Sequence, residues 1–221
     1  IAWLPDESGF FYSRYPQNEA GKYDDSQTVS IYFHAIGTAQ SEDKKVFAFD
    51  NKPTWNPYPS VVQDGKTLLI SVFEGYQANG VYAKSLVNDD SELVSVFDKW
   101  DGRYDLIGEH DDELFFTSTA NAPTGKVIKV DFDDGVKATE TVIESTSDTL
   151  SSVSLLGEKL FAQYLKDVKG QVSVFDLNGK KIDEIAFNDI GSVSGFYGSK
   201  NADTTFYKLT GFTNPGQVFA Y

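Results

Sequence analysis

The sequence predicts an all-β protein built from one repeated antiparallel unit, and three observations carry that expectation. First, short runs of β-forming residues recur along all 221 residues, separated by Gly, Asp, Asn and Pro. No segment sustains an apolar i, i+3, i+4, i+7 stripe past two turns, so helices are not expected. Second, residues 61–75 read as a hairpin: a β-branched run meets Asp64-Gly65, and a nearly all-apolar run over 67–73 follows at once. Asp-Gly suits a tight turn with φ > 0, because Gly has no Cβ to clash there. The second run is too short for a typical helix and reads as a strand buried on both faces, which needs neighbours on each side. Third, hairpins of this kind start near residues 1, 60, 104, 151 and 192, a spacing of 59, 44, 47 and 41 residues. That is the length of one four-stranded propeller blade, so the expected fold is a five-bladed β-propeller of four-stranded antiparallel blades.

Taken in order, the five hairpins pair 1–4 with 10–14, 60–62 with 67–73, 104–108 with 113–118, 151–155 with 159–165, and 192–196 with 204–209. Third strands are expected at 30–36, 80–86, 126–132, 171–177 and 217–221, and fourth strands at 45–49, 93–97, 139–143 and 181–187. Third and fourth strands carry more Lys, Glu, Ser and Thr, as outer strands would. The long first spacing is absorbed by a polar insertion over 16–28. The expected organisation is a single domain, 1–221, with blades near 1–50, 58–98, 104–144, 150–187 and 191–221. The last blade is expected to be incomplete, without closure by a blade that combines strands from both termini.

A content of 40% hydrophobic and 14% aromatic residues is enough for a packed core. The net charge of −14 would be repelled by a phosphate backbone, which argues against nucleic acid and anionic membranes as partners. With no cysteine, disulfides and thiolate metal sites are excluded. Methionine is absent even at position 1, so the chain is expected to be processed, trimmed or engineered. No apolar run approaches the ~20 residues of a membrane helix, and a soluble protein is expected.

Several stretches carry a family resemblance: Ala2-Trp3-Leu4-Pro5-Asp6 with Phe11-Tyr12-Ser13-Arg14-Tyr15-Pro16, Phe33-His34-Ala35-Ile36-Gly37-Thr38, and Ile70-Ser71-Val72-Phe73-Glu74-Gly75. Asn121-Ala122-Pro123, Tyr164-Leu165-Lys166-Asp167-Val168, Ile190-Gly191-Ser192-Val193 and Phe212-Thr213-Asn214-Pro215-Gly216 follow in the family's order. Over essentially its whole length the chain resembles the β-propeller domain of prolyl oligopeptidase, a serine peptidase family. The resemblance implies the later part of a seven-bladed propeller that caps an α/β-hydrolase domain and admits short peptides cleaved after proline. It also implies a cytoplasmic location and that hydrolase domain as the partner in a parent enzyme. The hydrolase nucleophile, histidine and acidic partner have no counterpart in these residues. The chain is therefore expected to be a non-catalytic scaffold, with a peptide- or protein-binding module as the alternative and a channel-type glycosidase as a weaker one.

No catalytic, metal or cofactor site is expected. Gly191-Ser192-Val193-Ser194-Gly195 has Val where a nucleophile elbow needs Ser, and reads as a strand entering a blade. His34 and His110, the two histidines, read as surface or packing residues. Asp131-Phe132-Asp133-Asp134-Gly135 lacks calcium-loop spacing and reads as a turn between outer strands. Asp24-Asp25 and Asp89-Asp90 read as solvated loop charges. Among the expected innermost strands only Asp105 is acidic, which leaves no carboxylate pair for glycoside hydrolysis. Trp55 and Trp100, each at a blade entry, are expected to cover the barrel ends. Strand topology groups 16–28, 76–79, 120–124, 166–170 and 211–215 on one loop face. By resemblance that face turns toward the hydrolase domain and substrate, which singles out Glu74, Tyr76, Asn121 and Pro123 as interface or substrate-facing positions.

Overall fold

A computed structural model describes residues 1–88, 90–133, 135–167, 169–187, 190–198, 202–212 and 215–221. The described residues form five antiparallel sheets, four of four strands and one of three, each made of consecutive strands. The first holds β1 (Ala2–Trp3), β2 (Gly9–Arg14), β3 (Ser30–Ala35) and β4 (Lys44–Ala48), and the second β5 (Asn56–Val62), β6 (Thr67–Phe73), β7 (Asn79–Ser85) and β8 (Val94–Phe97). The third holds β9 (Tyr104–His110), β10 (Glu113–Ser118), β11 (Lys126–Phe132) and β12 (Val136–Ile143). The fourth holds β13 (Thr149–Leu156), β14 (Lys159–Lys166), β15 (Lys169–Asp176) and β16 (Lys181–Ile185). The fifth is β17 (Ser192–Tyr197), β18 (Phe206–Thr210) and β19 (Gln217–Ala220). Among the described residues no sheet combines strands from both termini, and no helix is long and apolar enough to cross a membrane.

The trace divides into two compact units, Ile1–Tyr104 with Asp133–Val136, and Asp105–Phe132 with Lys137–Tyr221. In the first, Ala2, Phe11 and Ile31 pack against Leu68, Ile70 and Val72, one face of each of the first two sheets. In the second unit, Phe115, Val127 and Ile143 meet Leu160, Ala162 and Tyr164. A further layer there joins Phe161, Val172 and Val174 to Phe196. Each fully buried aliphatic side chain contributes about 1.5–3 kcal/mol, so these layers supply the main favourable term.

The burial expected of 67–73 holds: Leu68, Leu69, Ile70 and Val72 are all buried, on alternating sides of β6. Its turn differs from the expected Asp-Gly pair. Val62 pairs with Thr67, and the connection runs through three successive left-handed residues, Gln63, Asp64 and Gly65, with Thr67 Oγ1 donating to Gln63 Oε1 at 2.7 Å. The side-chain bond compensates a conformation that non-Gly residues resist.

The outer-strand expectation holds for the fourth strands β12 and β16 and for β19, which is exposed throughout, but not for the other third strands. β12 and β16 are largely exposed, whereas the third strands β3, β7, β11 and β15 each bury a run of core residues. Each such third strand has a hydrogen-bonded neighbour on both edges and buries several side chains. The Lys residues of these strands stay at least partly exposed, whereas Ser30 of β3 and Ser173 of β15 are buried. The first strand of the second sheet begins earlier than expected, at Asn56, and contains Pro57 and Pro59. Proline is tolerated because this strand is an edge and one of its sides needs no ladder donor.

Candidate functional site

Glu74 follows Phe73, the last residue of β6, and Gly75 turns the chain with φ +81°. A Cβ on Gly75 would meet nothing within 4 Å, so glycine serves conformation there rather than space. Glu74 is pinned from the segment before β5: Thr54 Oγ1 donates to Oε1 at 2.6 Å and Trp55 Nε1 to Oε2 at 3.1 Å. These two bonds, Thr54 first, hold the carboxyl below the usual glutamate range against a small opposing desolvation, and Lys52 adds to them. Lys52 Nζ lies 4.6 Å from the centroid of the Trp55 ring, so a cation and an anion flank one indole. Tyr76, two residues on, is 91% exposed.

The indole rests on a ring cluster. Trp55 meets Trp100 at 5.0 Å and Phe49 at 5.1 Å, and Phe49 meets Tyr82 at 5.2 Å. The two tryptophans, expected separately at blade entries, therefore pack on each other within the first unit. Burial raises the Tyr82 hydroxyl pKa, opposed by a hydrogen bond with Trp100.

Asn121 and Pro123 lie in the second unit, in the turn between β10 and β11, and both are exposed. Asn121 adopts φ +53°, which Asn tolerates better than most residues. The turn is closed by Ala122 N to Thr119 O at 3.0 Å and Gly125 N to Ala122 O at 2.8 Å. Each expected position thus falls at a strand-to-strand turn of its own unit.

Residues 191–195 enter β17 as a strand, with the ladder shifted between Gly195 and Tyr197. His110 Nε2 is 3.6 Å from the exposed Asp111 carboxylate. His34 is more constrained than its expected packing role implies. Its Nδ1 donates to Asp43 Oδ1 at 2.7 Å, the Tyr12 hydroxyl donates to Asp43 Oδ2, and the Asp43 side chain is fully buried. A lone Asp between Glu42 and Lys44 gave no signal of this in the sequence, because its partners come from β2 and β3.

Asp24 caps its own loop, accepting from Ser26 and Gln27, and Ser26 above all holds it below the usual aspartate value. The 131–135 stretch joins β11 to β12, as expected of a turn, although Asp134 lies outside the described residues, as do Asp89, Val168, Thr213 and Asn214 and the tip of the 198–202 turn. Asp105 is not alone among the acidic residues on the first strands: β9 runs to His110 and so includes Glu109. Four residues of strand separate them by about 13 Å, beyond either carboxylate spacing of glycosidases. Among the described residues no three His, Cys, Asp or Glu side chains converge as a metal site.

A family model, that of the prolyl oligopeptidase N-terminal beta-propeller domain, matches residues 1–221. The chain belongs to this family. Its sheets are therefore propeller blades, five in these residues, the fifth with three strands. Among curated relatives it is 30% identical to the prolyl endopeptidase of Elizabethkingia meningoseptica over 224 residues, which covers all of this chain and 31% of the relative. It is 26% identical to prolyl oligopeptidase A of Galerina marginata, with the same coverage of both chains. Among solved structures, prolyl oligopeptidase B from Galerina marginata, bound to a 35mer hydrolysis and macrocyclization substrate, matches with a TM-score of 0.87 at 26% identity. That match covers 100% of this chain and 31% of the solved one. The chain spans about a third of the length of the relatives it matches.

Proposed function

We propose that the 221 residues act as one non-catalytic propeller domain of prolyl oligopeptidase type, which in a parent enzyme meets an α/β-hydrolase domain and selects substrates by size. In isolation the domain is a scaffold, and by resemblance its setting is the cytoplasm. The observation that carries this reading is the family match over every residue of the chain, confined to the propeller portion of its relatives. The anchored Glu74 carboxylate two residues before it supports a substrate-facing role for Tyr76, which is 91% exposed. Asn121 and Pro123 join it as interface positions by resemblance. A fluorogenic peptide with proline before the scissile bond tests the claim. The purified chain is expected to give no turnover above buffer, and release of fluorophore by the pure chain would overturn it.

A second reading, a peptide- or protein-binding module, is favoured by the exposed Tyr76 phenol beside an anchored carboxylate. Titration with a proline-rich peptide would then shift the Tyr76 ring and Trp55 indole resonances. A flat titration removes this reading and leaves the first intact.

A further inference from the structure

Asparagine followed by glycine leaves its side-chain amide open to attack by the next backbone nitrogen, because glycine has no Cβ to hinder the approach. The pair occurs twice in the chain, at Asn79-Gly80 and Asn178-Gly179. The two dipeptides are alike in sequence, and the fold treats them oppositely. Asn79 is fully buried and bonds the Tyr104 backbone through both ends of its amide, while Gly80 lies in the β7 ladder opposite Val72. Asn178 is exposed at the tip of the β15–β16 hairpin, and its side-chain amide is held by no hydrogen bond among the described residues.

Asp176 holds that tip closed. Its Oδ1 accepts from Asn178 N at 3.0 Å and from Lys180 N at 2.9 Å. Its backbone carbonyl accepts from Gly179 N at 3.0 Å, and its own N–H donates to Lys180 O at 3.0 Å. The attacking nitrogen is therefore released only when the turn opens, and exposed hairpin tips open at low free-energy cost. The tip also rests on the third sheet, within the second unit. Leu177 packs against the core around Phe115 and Leu160. Gly179, at φ +80°, lies so close to β12 that a Cβ there would overlap Val142 O. The contact leaves no slack for a longer backbone.

We propose that Asn178 is a modification site, converted through a succinimide to aspartate and isoaspartate, with Asp176 as the group that sets the rate. Gly179 N gives up its proton to solvent base and attacks Asn178 Cγ. The N–Cγ bond forms, the Cγ–Nδ2 bond breaks, and Nδ2 takes up a proton and leaves as ammonia. Water then opens the ring at either carbonyl, and both products carry a new negative charge. The isoaspartate product also has one extra backbone carbon, about 1.5 Å of chain, ahead of a glycine already lying against Val142. Its formation lifts the tip from β12 and loosens the outermost strand of the third sheet. The inference does not rest on the function proposed above, which concerns the corner at Glu74 and Tyr76.

The test incubates the folded chain in mildly alkaline buffer and follows both Asn-Gly peptides by mass spectrometry, with electron-transfer fragmentation to tell isoaspartate from aspartate. Asn178 is expected to convert at least about tenfold faster than Asn79, which must first lose two buried hydrogen bonds. In urea the two sites should convert at similar rates. Asp176→Ala is expected to speed conversion at Asn178 and leave Asn79 unchanged. The aged chain should melt below the fresh one, whereas Asn178→Gln, aged in the same way, should keep its melting temperature. Conversion at Asn178 no faster than at Asn79 would overturn the proposal. So would a contrast that persists in urea, which would trace it to local sequence alone. An unchanged rate in Asp176→Ala would remove the role given to Asp176, and unchanged melting of the isoaspartate form would remove the effect on β12.

Discussion

Asn79 grips the backbone of Tyr104 through both ends of its amide: Nδ2 donates to Tyr104 O at 2.9 Å, and Tyr104 N donates to Oδ1 at 2.7 Å. The amide thereby imitates one rung of a β-ladder between β7 and the entry to β9. Asn79 is fully buried, so water cannot readily replace it. Asn79→Ala is expected to lower unfolding free energy by about 2–4 kcal/mol in urea titrations, because two buried backbone groups lose this partner. A change within about 0.5 kcal/mol would show that the pair is dispensable.

The Glu74 carboxyl is held below its ordinary value of 4.5, chiefly by Thr54 and then Trp55. A depressed folded-state value means that its contribution is present above pH 4.5 and is lost as pH falls through the lower folded value. Glu74→Gln should therefore weaken the domain at neutral pH and flatten the acid limb of the stability profile. The same acid limb in both proteins would contradict this.

Asp43 gives a second acid-sensitive point with a different balance. Burial pushes its carboxyl up, and the bonds from Tyr12 and His34 outweigh that push, so it ends below the ordinary 3.8. Its stabilisation is likewise present above 3.8 and lost as pH falls through the folded value. Asp43→Asn should destabilise at pH 7 and shift the Nδ1 proton resonance of His34. An unmoved resonance would mean that the bond is absent in solution.

At the entry to the fifth sheet, Gly195 takes φ +121° and the bulky Phe196 takes φ +63°. The ladder slips there, and the slip turns Phe196 into a stack with Phe161 and Tyr207, at 5.0 Å from each. A Cβ on Gly195 would sit 2.6 Å from Phe206 O. Gly195→Ala should cost well over the ~1 kcal/mol typical of point changes, and Phe196→Ala about 3–5 kcal/mol through the cavity it leaves. Near-neutral melting of either variant would show that the bulge relaxes freely.

Most strand positions were legible because burial enforces a period of two, and the turn residues between runs are chemically marked. β10 and β11 fall on their expected residues, 113–118 and 126–132. The misses share one cause. Asn79, Asp43 and the Gln63–Gly65 turn look like ordinary polar loop residues along the chain, yet their partners come from other strands. Thr54 and Trp55 likewise meet Glu74 only after β5 and β6 have paired. Glu74 and Tyr76 were singled out by resemblance. The hydrogen bonds that hold Glu74 in place had no local signal.

The amino-acid order alone was enough for five antiparallel units, the buried centre at 67–73 and the family, since those rest on local alternation and turn chemistry. Which polar side chains become structural depended on packing. Burial selects Asn79 and Asp43, because a desolvated amide or carboxylate is stable only where several strands bring donors and acceptors within 3 Å.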